Sequence, residues 1–98
     1  MSASIAIQIL PAADTDTELC RIVDEVIAYI KSTGLTHHVG PFETTIEGDS
    51  IYALMDIAKE CLHVAARSGA PKVSAYIKAV HRPGGEILTI DQKIGKYN

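Results

Sequence analysis

Glu47 is the residue in this chain with the most chemistry open to it. It lies in the run Phe42-Glu43-Thr44-Thr45-Ile46-Glu47-Gly48, where Thr44 and Ile46 alternate with Thr45 and Glu47. In a strand, that alternation places the carboxylate on one sheet face beside the Thr45 hydroxyl. A charged group in a half-buried strand needs a partner, which can be a ligand, a second subunit or a cation. Two readings follow. In one, Lys78 or Arg82 on a neighbouring strand neutralises an ordinary strand carboxylate. In the other, Glu47 accepts hydrogen bonds from a cationic or amine-bearing heterocycle. Thr44 and Thr45 are either plain strand residues or hydroxyl ligands.

The remaining reactive side chains are scattered. His37 and His38 are adjacent in a strand, so their rings point to opposite faces and do not readily share a metal. A metal site would need His81 or an acid from elsewhere, and no metal is expected. His63 falls near the end of a helix, where it suits the helix dipole. Cys20 and Cys61 fall on or beside apolar helix stripes and read as buried structural thiols. Gly84-Gly85 sits in a turn rather than between a strand and a helix, so it is no phosphate cradle. No nucleophile, metalloprotease or paired-carboxylate motif is present, and no cofactor is expected.

Composition narrows the classes. The 98 residues make one domain, residues 1–98, and 47% hydrophobic content allows one thin core. A net charge of −3 with nine scattered Lys and Arg argues against nucleic acid. The lack of Trp and the single Phe leave few platforms for stacking bases. No apolar run approaches the roughly 20 residues that span a bilayer. The N-terminal Met1-Ser2-Ala3-Ser4 lacks a basic leader region, so the expected compartment is the cytoplasm, with no membrane partner.

The elements that would position these residues follow from periodicity. Ser4–Leu10 reads as a strand with Ile5, Ile7 and Ile9 on one face, and Pro11 ends it. Thr15-Asp16-Thr17-Glu18 fits a capping box opening a helix to about Thr33, closed by Gly34. Leu35–Val39 is a short strand, Gly40-Pro41 a turn and Phe42–Glu47 another strand. Asp49 or Ser50 caps a second helix with Ile51, Leu54, Ile57, Ala58, Cys61, Leu62 and Ala65 on one stripe, closed by Gly69. Val73–Val80 is a fourth strand, Arg82-Pro83-Gly84-Gly85 a turn, and Ile87–Ile90 a brief fifth strand before a polar, extended tail, 91–98. The order β-α-β-β-α-β gives an α+β fold, the ferredoxin-like sandwich with a four-stranded antiparallel sheet and two helices on one face. The opposite face has no cover within the chain, which predicts a homodimer or homotetramer.

Gly34-Leu35, followed by Pro41-Phe42-Glu43-Thr44-Thr45-Ile46-Glu47-Gly48, resembles the signature of the thiamine-binding protein family. Members typically read Ser-Gly-Leu, an aromatic, then Pro-Met-Gly-Thr-x-Ile-Glu-Gly. The first strand ending in Pro11, the helix starting right after Glu47-Gly48, the single Arg82 after strand four and Lys93-Ile94 in the tail also fit. Phe42-Glu43 replaces Met-Gly, and His37 replaces the aromatic. The resemblance implies a ferredoxin-like fold, dimers that pair into tetramers, and binding of thiamine or its hydroxymethylpyrimidine precursor without catalysis. It implies Glu47, Thr44, Thr45, His37, Phe42 and Arg82 as the ligand-binding residues. The competing expectations are an oligomerisation module with no small-molecule ligand, in which Glu47 and Arg82 pair between subunits, and a small enzyme with Glu47 as base and a histidine as acid.

Overall fold

A computed structural model describes residues 1–98. Strand β1 spans Ala3–Pro11, helix α1 Asp16–Ser32, strands β2 and β3 His37–Val39 and Thr44–Gly48, helix α2 Ile51–Arg67 and strand β4 Val73–His81. The four strands form one antiparallel sheet in the order β2-β3-β1-β4. Both long helices lie on the face carrying Ile5, Ile7 and Ile46, and the ferredoxin-like α+β sandwich is as the element order requires. No helix is long and apolar enough to cross a membrane.

The core is where the two helix stripes meet that face. Ile22, Val26 and Ile30 from α1 and Leu54, Ile57, Ala58, Cys61, Val64 and Ala65 from α2 close over Ile5, Ile7 and Ile46. Removing the side chain of a fully buried residue such as Leu54 costs about 2–5 kcal/mol in cores of this kind. Both helices begin on a hydroxyl cap: Thr15 accepts the Glu18 N–H at 3.1 Å and Ser50 the Ala53 N–H at 3.2 Å. Only half of the expected box at Thr15 forms. Glu18 turns instead to Arg21, whose guanidinium grips it at 2.9 and 2.6 Å and holds its carboxyl below the usual range. The same guanidinium donates to the Ser68 carbonyl at the end of α2, tying the two helices together. Gly69 ends α2 at φ +116°, a conformation that a side chain would strain.

The β2–β3 hairpin closes through the Gly40 N–H donating to the Glu43 carbonyl at 2.9 Å. A Cβ at Gly40 would sit 2.9 Å from that same oxygen, so the turn needs glycine.

Three expectations are corrected. Ile87–Ile90 is not a strand: one bond, from the Ile87 N–H to the Met1 carbonyl, runs beside β1, and a helix then begins. Nor does the tail stay extended. It forms a short helix, α3, over Ile90–Ile94, followed by a single 3-10 turn over Gly95–Tyr97. The cause is local: Thr89 and Gln92 form a reciprocal capping box, with Thr89 accepting the Gln92 N–H at 3.1 Å and Gln92 accepting the Thr89 N–H at 2.8 Å. The tail therefore crosses one end of the sheet face opposite the long helices, so that face is not bare.

The third correction concerns Cys20, which is exposed. Two residues along a helix rotate a side chain by about 200°, so a stripe through Ile22, Val26 and Ile30 points position 20 outward. Cys61 is buried, and desolvation pushes its thiol up to about 11. A thiol reagent at neutral pH should therefore label one cysteine of the native protein quickly, and the second only as denaturant unfolds it. Labelling of both at equal rates in native buffer would contradict the placement of α2.

Candidate functional site

Register decides which side chains share the face away from the long helices. Glu47 pairs with Ser4 and Thr45 with Ala6; across β1, Ser4 pairs with Val80 and Ala6 with Lys78. On the other side His38 pairs with Thr45. The period-2 pleat then brings Glu47, Thr45, His38, Lys78 and Val80 to one face around the small residues Ser4 and Ala6. Thr44, paired with Val39, and His37, paired with Ile46, belong to the opposite face.

Glu47 is 4% exposed. Its Oε2 accepts the backbone N–H of Ile90, the first residue of α3, at 2.8 Å. A buried carboxylate without a donor would be costly, and an N–H at a helix start carries partial positive charge that suits it. Together with the bond from the Ile87 N–H to the Met1 carbonyl, the Glu47–Ile90 bond fixes where the tail crosses the sheet. Every sealed side-chain oxygen and nitrogen in the protein has a partner, and Oε2 carries the one hydrogen bond of this carboxylate. Its Oε1 is therefore not fully sealed from solvent, although Glu47 lines neither of the two hollows on this face.

With the tail held there, a groove of about 340 Å³ forms between α3 and the β2–β3 hairpin. Its apolar walls are Pro41, Phe42, Ile90 and Ile94, and its polar groups are His38, Glu43, Thr45 and Lys93. This volume lies in the range of small-molecule sites. Beside it, over β1 and β4, lies a shallower recess of about 260 Å³ that reaches Ser4, Ala6, Lys78 and Val80. Glu43, Thr45 and Lys93 line both hollows, so the two are adjacent. An ion pair between Lys78 Nζ and Glu43 Oε1 at 2.8 Å spans the boundary.

The expected residues distribute as follows. Glu47 and Thr45 share the open face, and Phe42, 79% exposed, projects at the rim of the groove. Thr44 is buried on the helix side, where it lines a small apolar crevice with Phe42 under α1. His37 is on that side too, with Nδ1 at 2.8 Å from the Leu35 carbonyl oxygen. Arg82 is taken up by its own turn, donating to the Glu86 carbonyl at 3.2 Å, and lines neither hollow. Neither it nor Lys78 pairs with Glu47.

His38, Glu43, Lys78, Lys93, Ile90 and Ile94 are additional lining residues. Alternation along β4 is the signal that would put Lys78 and Val80 on one face, but it does not say which face. The Thr89-x-x-Gln92 box was the available signal for the helix that brings Ile90, Lys93 and Ile94 to the groove. No three His, Cys, Asp or Glu side chains converge as a metal site would require.

Comparison with known proteins places these features in a family. The sequence profile of a family described as thiamine-binding protein matches residues 5–98. A UPF0045 protein of Clostridium perfringens is 41% identical over 96 residues, which is 98% of this chain and 97% of that protein. The crystal structure of a Streptococcus pneumoniae protein is similar at a TM-score of 0.78 and 42% identity, covering 97% of this chain and 99% of that one. A Thermotoga maritima protein, assigned provisionally to thiamine biosynthesis or salvage, matches over 100% of both chains at a TM-score of 0.83 and 30% identity.

The bond between Glu47 and Ile90 has a direct readout. A hydrogen bond to a charged group contributes about 1.5–3 kcal/mol, so Glu47→Ala should speed amide exchange at Ile90 and along α3 by roughly 10- to 150-fold. Exchange in β1 and α2 should change far less. An unaltered tail in native-state hydrogen exchange would contradict the anchoring role.

Proposed function

We infer that this chain, which belongs to the thiamine-binding protein family, binds thiamine or its hydroxymethylpyrimidine moiety without converting it chemically. The observation that carries this reading is the groove between α3 and the β2–β3 hairpin. Its walls, Pro41, Phe42, Ile90 and Ile94, are flat or branched apolar groups that suit an aromatic ring. Carboxylates stand at both ends of Thr45: Glu43 on the rim and Glu47 beneath the tail. An aminopyrimidine offers an exocyclic amine to a carboxylate, and a thiazolium ring offers a positive charge to either glutamate. In this reading Oε1 of Glu47 accepts the ligand's donor while Oε2 keeps the tail in place.

Binding, rather than catalysis, is favoured by how the reactive side chains are engaged. Their hydrogen bonds go to backbone groups or close helix caps, and none joins a hydroxyl or thiol to a histidine or carboxylate. Phe42, Tyr76, Val80 and Leu88 are exposed large apolar residues. They suit a cytoplasmic homodimer or homotetramer in which a second copy closes the shallow side of the groove.

Titration calorimetry of the wild-type protein with thiamine and with hydroxymethylpyrimidine tests the reading. Saturable binding to one site per chain is expected, and at a thousand-fold excess over Kd the ligand should stabilise the fold by about 4 kcal/mol. Glu47→Gln keeps the shape and removes the charge, so affinity should fall by roughly 10- to 150-fold. Absence of both heat and thermal stabilisation at millimolar thiamine would overturn the reading.

A further inference from the structure

We propose that the recess next to the groove is a phosphate subsite, so that the preferred ligand is a monophosphate ester of the heterocycle rather than the free alcohol. The inference rests on the groove being the heterocycle site. Two lysines line the recess from different elements: Lys78 from the edge strand β4 and Lys93 from α3. Thr45 lines the recess with them, and the small residues Ser4 and Ala6 keep its floor low. Glycine-loop phosphate sites use backbone N–H groups; here two lysines and a hydroxyl supply the donors instead.

Connection to the groove gives the subsite its purpose. Thr45, Lys93 and Glu43 line both hollows, so a ring held between Phe42 and Ile94 can extend an arm into the recess. Lys93 forms no ion pair within the chain, whereas Lys78 is held by Glu43 at 2.8 Å. That pair is largely exposed and therefore cheap to exchange. A zwitterionic ligand would replace it at both ends: the phosphate takes Lys78, and the freed Glu43 turns to the cationic or amine-bearing ring. The exchange leaves no charge unpaired, which the free alcohol, lacking any anionic group, cannot achieve. Glu43 is the acidic residue that lines the subsite, and it lines the groove as well, so it can turn from one to the other. Two lysines match the charge of a monophosphate.

The test is the ratio of affinities for thiamine monophosphate and thiamine, measured by calorimetry on the same protein at low ionic strength. In the wild type the monophosphate should bind about 10-fold more tightly, as expected for charge-assisted bonds at a partly exposed site. Lys78→Gln and Lys93→Gln should each bring the ratio toward one, and Lys78→Arg should keep it. Both lysines are exposed, so the variants should melt as the wild type does. Independently of any variant, the wild-type ratio should shrink as salt is raised. Thiamine binding with a ratio of one, or a ratio that both Gln variants retain, would overturn the phosphate subsite and leave the thiamine reading intact. Failure of both ligands to bind would overturn the two together.

Discussion

A single bond between a buried carboxylate and a backbone N–H organises the functional side of this protein. Glu47 is nearly sealed from solvent and meets the first amide of α3 at 2.8 Å. Without a donor there, the carboxylate would be a costly defect on the sheet. With it, α3 is drawn across one end of the face opposite the long helices and becomes a wall. Ile90, Ile94 and Lys93 line a groove because Glu47, together with the Ile87–Met1 backbone bond, sets where the tail starts. The hydrophobic core beneath would survive without this contact, but the groove would lose one of its sides.

The two faces of the sheet divide the labour. Ile5, Ile7 and Ile46 point into the core, and their neighbours in sequence, Ser4, Ala6, Thr45 and Glu47, point to the groove side. Small residues on the central strand leave space, while charged and aromatic ones line the flanks. In the proposed complex, the exchangeable Glu43–Lys78 pair and the unpaired Lys93 set the carboxylate toward the ring and the lysines toward the phosphate. Such an arrangement selects ligands by the order of their charges as well as by their shape.

The sequence carried the fold well because each element announces itself locally. Isoleucines at alternate positions define β1, the stripes at helical spacing define α1 and α2, and glycines end both helices. The Gly34-Leu35 and Pro41–Gly48 motifs led to the family that the profile over residues 5–98 shows. The site was only half legible. Alternation paired Thr45 with Glu47, but His38 joins them through cross-strand register, which no local pattern encodes. Thr44 and His37 came with the motif, yet the pleat turns both toward the helices. The tail was misread because Ile87–Ile90 is apolar enough for a strand, while the competing Thr89–Gln92 box commits it to a helix turn. Cys20 was misassigned by treating proximity to an apolar stripe as membership of it.

The central claim is that the groove between α3 and the β2–β3 hairpin receives the heterocycle. Two-dimensional amide NMR of the labelled protein, titrated with thiamine, tests it most directly. The account predicts the largest shifts at His38, at Phe42 through Thr45 and at Ile90 through Ile94, with α1 and the buried half of α2 nearly silent. A separate hollow, between Ile51, Met55 and Lys59 of α2 and His81 at the end of β4, serves as an internal control. Shifts concentrated there, or no shifts at saturating thiamine, would contradict the account.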